Sequence, residues 1–383
     1  MRTVQPCIVI GSYVWDQDRV PRDEFQARTA DLNRVMDEHG WKAVLVYGDA
    51  AEHSALAWFS AFTTRLRWGM ALLPREGEPR LLISMSSRDV PAMRLMTWIP
   101  DVHSGWNWES AFDPWLARFG EGAADFGTVG FDLMRPPLFA SLQKSLGNRF
   151  RLHTADQPVA AVRTLRPRER SQIRTASRVV QVAASAFVER WRVGMGVEAA
   201  ALEAERTAPL MAAQDVRTLV SFDGGKTLAP YRGEFAPQAD SSVPLLGYIA
   251  VKHMGYWADM FVTGDRTRRP VVPRAHAALR AMLKIVGPGV EASKLHAAAA
   301  DALAPLTLHP VLSGSVGRRV GLSLNESGEI VGDSRHVLKP GDVYSLHVGA
   351  CDGAAVAALA SAMIEIKPSG YDLLHVSPAP DVR

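Results

Sequence analysis

The stretch from Leu246 to Asp259 gathers a phenol, a lysine, a histidine, an indole and a carboxylate within a short distance. Tyr248 begins it, Lys252 and His253 sit at its middle, and Trp257 and Asp259 close it. The pattern predicts a two-stranded ribbon, turning near Lys252–Gly255 and leaving through Tyr256 to Val262. A tyrosine can donate a proton or hold a developing oxyanion. An arginine binds carboxylates as a fixed cation, because guanidinium does not deprotonate in proteins. An unperturbed histidine titrates near neutrality and can serve as a general base. Other motifs fail. Gly225-Lys226-Thr227 ends like a phosphate loop, but the glycine needed five residues earlier is Val220. There is no G-x-G-x-x-G, G-x-S-x-G or H-E-x-x-H pattern.

The elements that must position these groups follow from patterning. The 383 residues suggest two or three domains. Apolar residues make up 47% and charged residues 22%, so large cores can form. The net charge of +3 and the absence of a dense basic block argue against nucleic acid as a partner. Two cysteines, Cys7 and Cys351, fit a reducing cytosol and are too few for a zinc cage. No long apolar run predicts a membrane span or a signal peptide, so a cytoplasmic location is expected. Residues 1–25 read as an irregular lead-in and 377–383 as a loose tail.

Residues 1–162 read as an α/β domain: a helix over Phe25–His39, a buried strand over Lys42–Tyr47, and a hairpin of Met70–Leu73 with Arg80–Ser84. Eight of the ten tryptophans precede residue 120. The cluster Trp98, Trp106, Trp108 and Trp115 suggests an interface or an aromatic pocket wall. Residues 163–383 read as α+β. Pro167 can open a long helix at its first turn. Ile173, Ala176, Val180, Ala183 and Phe187 then form an apolar stripe. Further helices fit Val197–Ala213, Pro273–Val286 and Ala292–Ala304. Strands fit Thr218–Phe222, Pro244–Val251, Tyr256–Val262, Leu322–Leu324, Val343–Val348 and Ala358–Ile366.

Several segments in this order resemble the creatinase / aminopeptidase P / prolidase family, whose C-terminal domain is called the pita-bread fold. Arg163–Arg174 is similar to the family's linker and first helix, and Ile285–Gly289 to its "x-x-x-P-G" break. Gly255–Asp259 resembles its "G-Y-x-x-D". Gly317–Glu326 resembles "G-H-G-I-G-L-x-x-H-E", and Leu338–His347 resembles "L-K-P-G-M-x-x-x-x-E". Trp58–Phe62 is similar to the N-terminal domain of creatinases and prolidases. The resemblance covers nearly the whole chain. It implies a creatinase-type α/β N-terminal domain followed by a pita-bread domain.

The family's five metal positions fall on Tyr248, Asp259, Arg318, His347 and Ser361, and four of the five have changed. A dinuclear site needs several carboxylates and a histidine. No catalytic metal and no other cofactor is therefore expected, and peptidase activity is not. The family's substrate-side histidines fall on Tyr231 and Asn325. The resemblance thus implies a cavity with His347, Asp259, Tyr231, Tyr248 and Arg318 as catalytic groups. Arg232, Asn325, His253 and Trp257 would bind substrate. In creatinase-like dimers an N-terminal loop reaches the partner's site, which implies the same for Phe62, Arg65, Arg67 and Trp68 in a homodimer.

This set suits proton transfer and bond cleavage without a metal-activated water. The leading expectation is a metal-independent lyase on a small anionic, aromatic compound. Its sharpest form is C–C cleavage releasing formaldehyde from a lignin-derived aromatic dimer. Two alternatives stand beside it: a creatinase-like C–N hydrolase of an amidino or amide compound, and a non-catalytic pita-bread binding protein.

Overall fold

A computed structural model of the chain describes residues 14–64, 67–221, 225, 227–230, 244–308, 314–351 and 357–378. The chain divides into two compact units, residues 1–164 and 165–383.

The first unit is α/β. Its longer helices are α1 (Arg22–His39), α2 (Ser54–Ser60), α3 (Glu109–Ala117), α4 (Pro136–Leu146) and α5 (Asp156–Val162). Its strands are β1 (Ala43–Asp49), β2 (Trp68–Pro74), β3 (Arg80–Ile83), β4 (Asp101–Ser104), β5 (Ala124–Val129) and β6 (Phe150–Thr154). They form one sheet in the order β4-β3-β2-β1-β5-β6. The expected hairpin is present as the antiparallel pair β2–β3. The central strand β1 is parallel to β5. Burial on both faces explains its unbroken apolar run, Ala43 to Val46. The tryptophan cluster corrects the expectation of an interface or pocket wall. Trp98, Trp108 and Trp115 are core residues, and only Trp106 is exposed, at 61%. Trp115 packs edge-on against Phe119 and Phe126, so these rings serve to fill volume.

The second unit opens with α6 (Pro167–Arg192) and α7 (Val197–Leu210). Pro167 occupies the first turn of α6, and the Glu169 carboxylate accepts a hydrogen bond from the Arg166 amide at 3.0 Å. The strands β7 (Asp215–Ser221), β8 (Ala229–Pro230), β9 (Leu245–His253) and β10 (Tyr256–Gly264) form a sheet in the order β10-β9-β7-β8. Next come α8 (Val271–Ile285), α9 (Ala292–Leu303) and the strands β11 (Thr307–Leu308), β12 (Gly317–Arg319), β13 (Val343–Cys351), β14 (Ala357–Ile366) and β15 (Tyr371–Val376). The second sheet runs β11-β13-β14-β15, with β12 paired to β13. The strand expected at Leu322–Leu324 is instead β12, a few residues earlier. The Ser323 amide bonds the Glu326 carboxylate at 3.1 Å, which bends the chain where the apolar pair suggested an extended run.

Pleating decides what each sheet offers. One face of β9–β10 packs on α6. Glycines on that face allow close approach. A Cβ at Gly247 would lie 2.8 Å from the Phe187 ring, and one at Gly264 would lie 2.6 Å from the Trp191 ring. Gly247→Ala is therefore expected to cost about 1–3 kcal/mol through overpacking, read as a lower urea midpoint. On β13, Tyr344, Leu346 and Val348 join the core built on α8 and α9. Ser345 and His347 alternate to the opposite face. There β14 meets β10: the Ser361 hydroxyl accepts from the Phe261 amide at 2.8 Å and donates to its carbonyl at 3.0 Å. Thr263 Oγ1 makes the same kind of two-way contact with Leu359. The inner faces of the two sheets thus enclose a polar seam, with the helices outside.

Candidate active site

The antiparallel register sets Tyr248 opposite Phe261 and Asp259 opposite Ala250. Tyr248 and Asp259 are therefore diagonal neighbours on the inner face, within reach of long side chains. The Tyr248 hydroxyl donates to Asp259 Oδ2 at 3.0 Å. β12 brings Arg318 to the same oxygen: its Nη2 pairs with Asp259 Oδ2 and lies 3.1 Å from the Tyr248 hydroxyl. Arg318 Nε donates to the Leu324 carbonyl at 2.8 Å, so the bend after β12 fixes the guanidinium. The Tyr248 and Phe261 ring centroids are 4.6 Å apart, and those of Phe261 and His347 are 4.9 Å apart. His347 is paired across the sheet with Ser361. The five aligned positions therefore converge on one seam.

Asp259 is fully buried, and Tyr248 and His347 are nearly so. Burial and the adjacent Asp259 charge raise the Tyr248 phenol far above its ordinary value, against the opposing pull of Arg318. It stays a proton donor at any physiological pH. Burial alone would lower the Arg318 pKa, but Asp259 and Tyr248 outweigh it and leave it raised. His347 is pushed down to about 3, first by burial and then by Arg318, although Asp259 and a hydrogen bond to the Ser315 backbone work the other way. This corrects the expectation of a histidine titrating near neutrality: His347 is uncharged and weakly basic. Asp259 Oδ1 and His347 Nδ1 are buried without a hydrogen-bond partner among the described residues.

The other expected residues divide. Trp257 shares the inner face and packs between Arg217 and Lys252, at 4.5 and 5.2 Å. Asn325 is exposed on the bend that holds Arg318. His253 is not at the site. Its position in the pleat turns it to the helix side, where Nδ1 lies 3.2 Å from the Ala212 carbonyl. Glu365, four residues beyond Ser361 on β14 and not among the expected residues, is held by Arg170 at 3.1 Å and Lys367 at 2.6 Å. Phe62 is buried within the first unit rather than offered to a neighbour. Arg67 and Trp68 line a pocket of that unit. Tyr231, Arg232 and Arg65 lie outside the described residues, as do most of the lead-in and the last residues of the tail.

Sequence reasoning missed His375. Its Nε2 lies 3.0 Å from the Asp259 carbonyl and its Nδ1 2.6 Å from Ser177 Oγ on α6. The sequence carries little signal for it: Tyr371-Asp-Leu-Leu-His-Val376 has no strict apolar alternation and forms the edge strand β15.

A model of the metallopeptidase family M24 matches residues 171–367. The chain belongs to that family. Its fold is accordingly an α/β N-terminal unit with a pita-bread second unit. The prolidase from Pyrococcus horikoshii OT3 is 16% identical, with a TM-score of 0.75 over 92% of this chain and 99% of that one. X-Pro aminopeptidase from Thermotoga maritima MSB8 is 17% identical, with a TM-score of 0.76 over 92% and 98%. Xaa-Pro dipeptidase from Bacillus anthracis is 14% identical, with a TM-score of 0.73 over 93% and 99%. At these identities the likeness is one of fold. No curated protein matches the chain significantly in sequence. No helix among the described residues is long and apolar enough to cross a membrane.

The family name implies metal, and the residues present do not fit it. A guanidinium already occupies Asp259 Oδ2. The Ser361 hydroxyl is committed to the Phe261 backbone. Tyr248 is held as a neutral phenol, a poor ligand. Among the described residues no group of three His, Cys, Asp or Glu could hold an ion.

Proposed function

We propose that the chain is a metal-independent lyase acting on a small anionic, aromatic compound. Its narrowest form is release of formaldehyde from the hydroxymethyl group of a lignin-derived aromatic dimer. One observation carries the reading: the Arg318 cation is fixed on Asp259 beside a protonated phenol and an uncharged imidazole. In the reaction the substrate O–H loses its proton, the C–C bond to the hydroxymethyl carbon breaks, and formaldehyde leaves. The electron pair remains on the other carbon, which takes up a proton. His347 is the acceptor. An anionic substrate set beside it opposes Arg318 and raises its basicity, so the base strengthens when substrate binds. Tyr248 gives that carbon its phenol proton, and the site resets when the proton on His347 leaves to solvent and one from solvent restores the phenol.

General acid–base groups contribute roughly 10²–10⁴-fold. Tyr248→Phe and His347→Gln are therefore each expected to lower kcat at least about 100-fold. The assay is aldehyde release from hydroxymethyl-bearing aromatic dimers by chelator-treated protein. Unchanged turnover in both variants, or cleavage of Xaa-Pro dipeptides that depends on added manganese, defeats the reading. A second reading, a binding protein, is favoured by the fully buried, already neutralised Asp259. It predicts ligand binding without turnover in the same assay.

A further inference from the structure

The first unit holds a pocket of about 290 Å³ that the proposed chemistry does not use. It lies at the carboxyl end of the parallel pair β1 and β5, where the chain leaves for other elements. Open α/β sheets bind small molecules at this end. Asp49, the last residue of β1, pairs with Trp68, the first of β2, so both open onto the same rim.

The wall is aromatic and its free charge is positive. The Tyr47 and Trp68 rings stack with centroids 6.2 Å apart. The one lining carboxylate, Asp49, turns Oδ1 to the bend after β1, where it accepts from the Ala51 and Glu52 amides at 2.8 and 3.0 Å, and the two lining arginines, Arg67 and Arg135, outnumber it. Arg135 enters from the start of α4. Among the described residues no hydrogen bond, ion pair or ring contact holds its guanidinium. Among the described residues Arg67 also has no carboxylate partner; it lies over Trp106 at 5.6 Å, with its backbone in the left-handed region at φ 63°. A non-glycine residue there is uncommon, and such strain gathers at ligand sites. Tyr47 is almost entirely buried, yet its hydroxyl has no hydrogen bond among the described residues.

We propose that this pocket is a binding site for a small aromatic carboxylate, with the ring on Trp68 and Tyr47 and the carboxylate on Arg135. A cavity of this size is at the small end for ligands, which suits one ring rather than a dimer. A guanidinium with no partner is the group that a planar carboxylate pairs with best. The site is built from residues of the first unit alone, the Asp259–Arg318 seam from residues of the second, and it does not rest on the lyase reading.

The probe is benzoate, titrated calorimetrically into the full chain at low salt, with benzamide as the uncharged isostere. Benzoate is expected to bind, Arg135→Gln to weaken it at least about tenfold, and benzamide to bind at least about tenfold more weakly. Arg135 is exposed and without a partner, so Arg135→Gln should fold normally; Tyr47→Phe is a second variant, expected to weaken binding several-fold. The proposal is overturned by no benzoate binding, by equal binding of benzamide, or by binding that survives Arg135→Gln, which would place the ligand elsewhere on the chain.

Discussion

Arg318→Ala is expected to remove about 3–5 kcal/mol of stability, the usual cost of stranding one partner of a buried ion pair. Asp259 has no exposure, and its Oδ1 has no hydrogen-bond partner among the described residues. Without Arg318, only the Tyr248 hydroxyl would remain on Oδ2. The charge could not stay buried at that cost, so the seam would admit water or take up a proton. Two further changes separate charge from packing. Arg318→Met keeps much of the side-chain volume and still strands the carboxylate, so it should cost nearly as much. Asp259→Asn added to Arg318→Met removes the stranded charge and keeps an acceptor for Tyr248. The double variant should recover at least half of the loss, because buried ion pairs are often replaceable by neutral residues. Urea unfolding of the four proteins reads this directly. If Arg318→Ala is harmless, the pair is decorative.

The second large effect is loss of stability in mild acid. His347 is pushed down to about 3 and His375 and His276 to about 4, in each case mainly by burial. All three are neutral when folded. The unfolded chain takes up a proton on each near pH 6.5, so below that value it binds more protons than the native state. Stability is then fully present above about pH 6.5 and falls as the pH drops towards 4 and 3. Each histidine contributes a slope of about 1.4 kcal/mol per pH unit within its window. Together they give roughly 4 kcal/mol per unit where the windows overlap. The check is the unfolding midpoint of wild type and His375→Gln at pH 7.5, 5.5 and 4.5. The variant should lose less between the first and last pH values. Parallel curves would mean that His375 is already charged when folded.

The legible parts of the sequence were those that local pattern dictates. The ribbon, the proline-started α6 with its stripe from Ile173 to Phe187, and the β2–β3 hairpin follow from periodicity and turn residues. The convergence of Tyr248, Asp259, Arg318 and His347 was legible only through family resemblance, since β12 and β13 lie far along the chain from the ribbon. His253 was misplaced because the sequence gives its distance from Asp259, and the pleat decides its face. His347 was misjudged because its pKa depends on what encloses it: a closed seam and a cation from another strand. His375 went unseen because β15 is a short edge strand whose partner is set by the sheet.

The central claim is that the Arg318 guanidinium, fixed on Asp259, leaves no place for the metal that the name of the matching family implies. Elemental analysis of the purified full chain, after dialysis against manganese, cobalt or zinc, tests it most directly. The account predicts no stoichiometric ion, and no rise in melting temperature with added metal. Two ions bound per chain, released when Asp259 is changed to Asn, would contradict it.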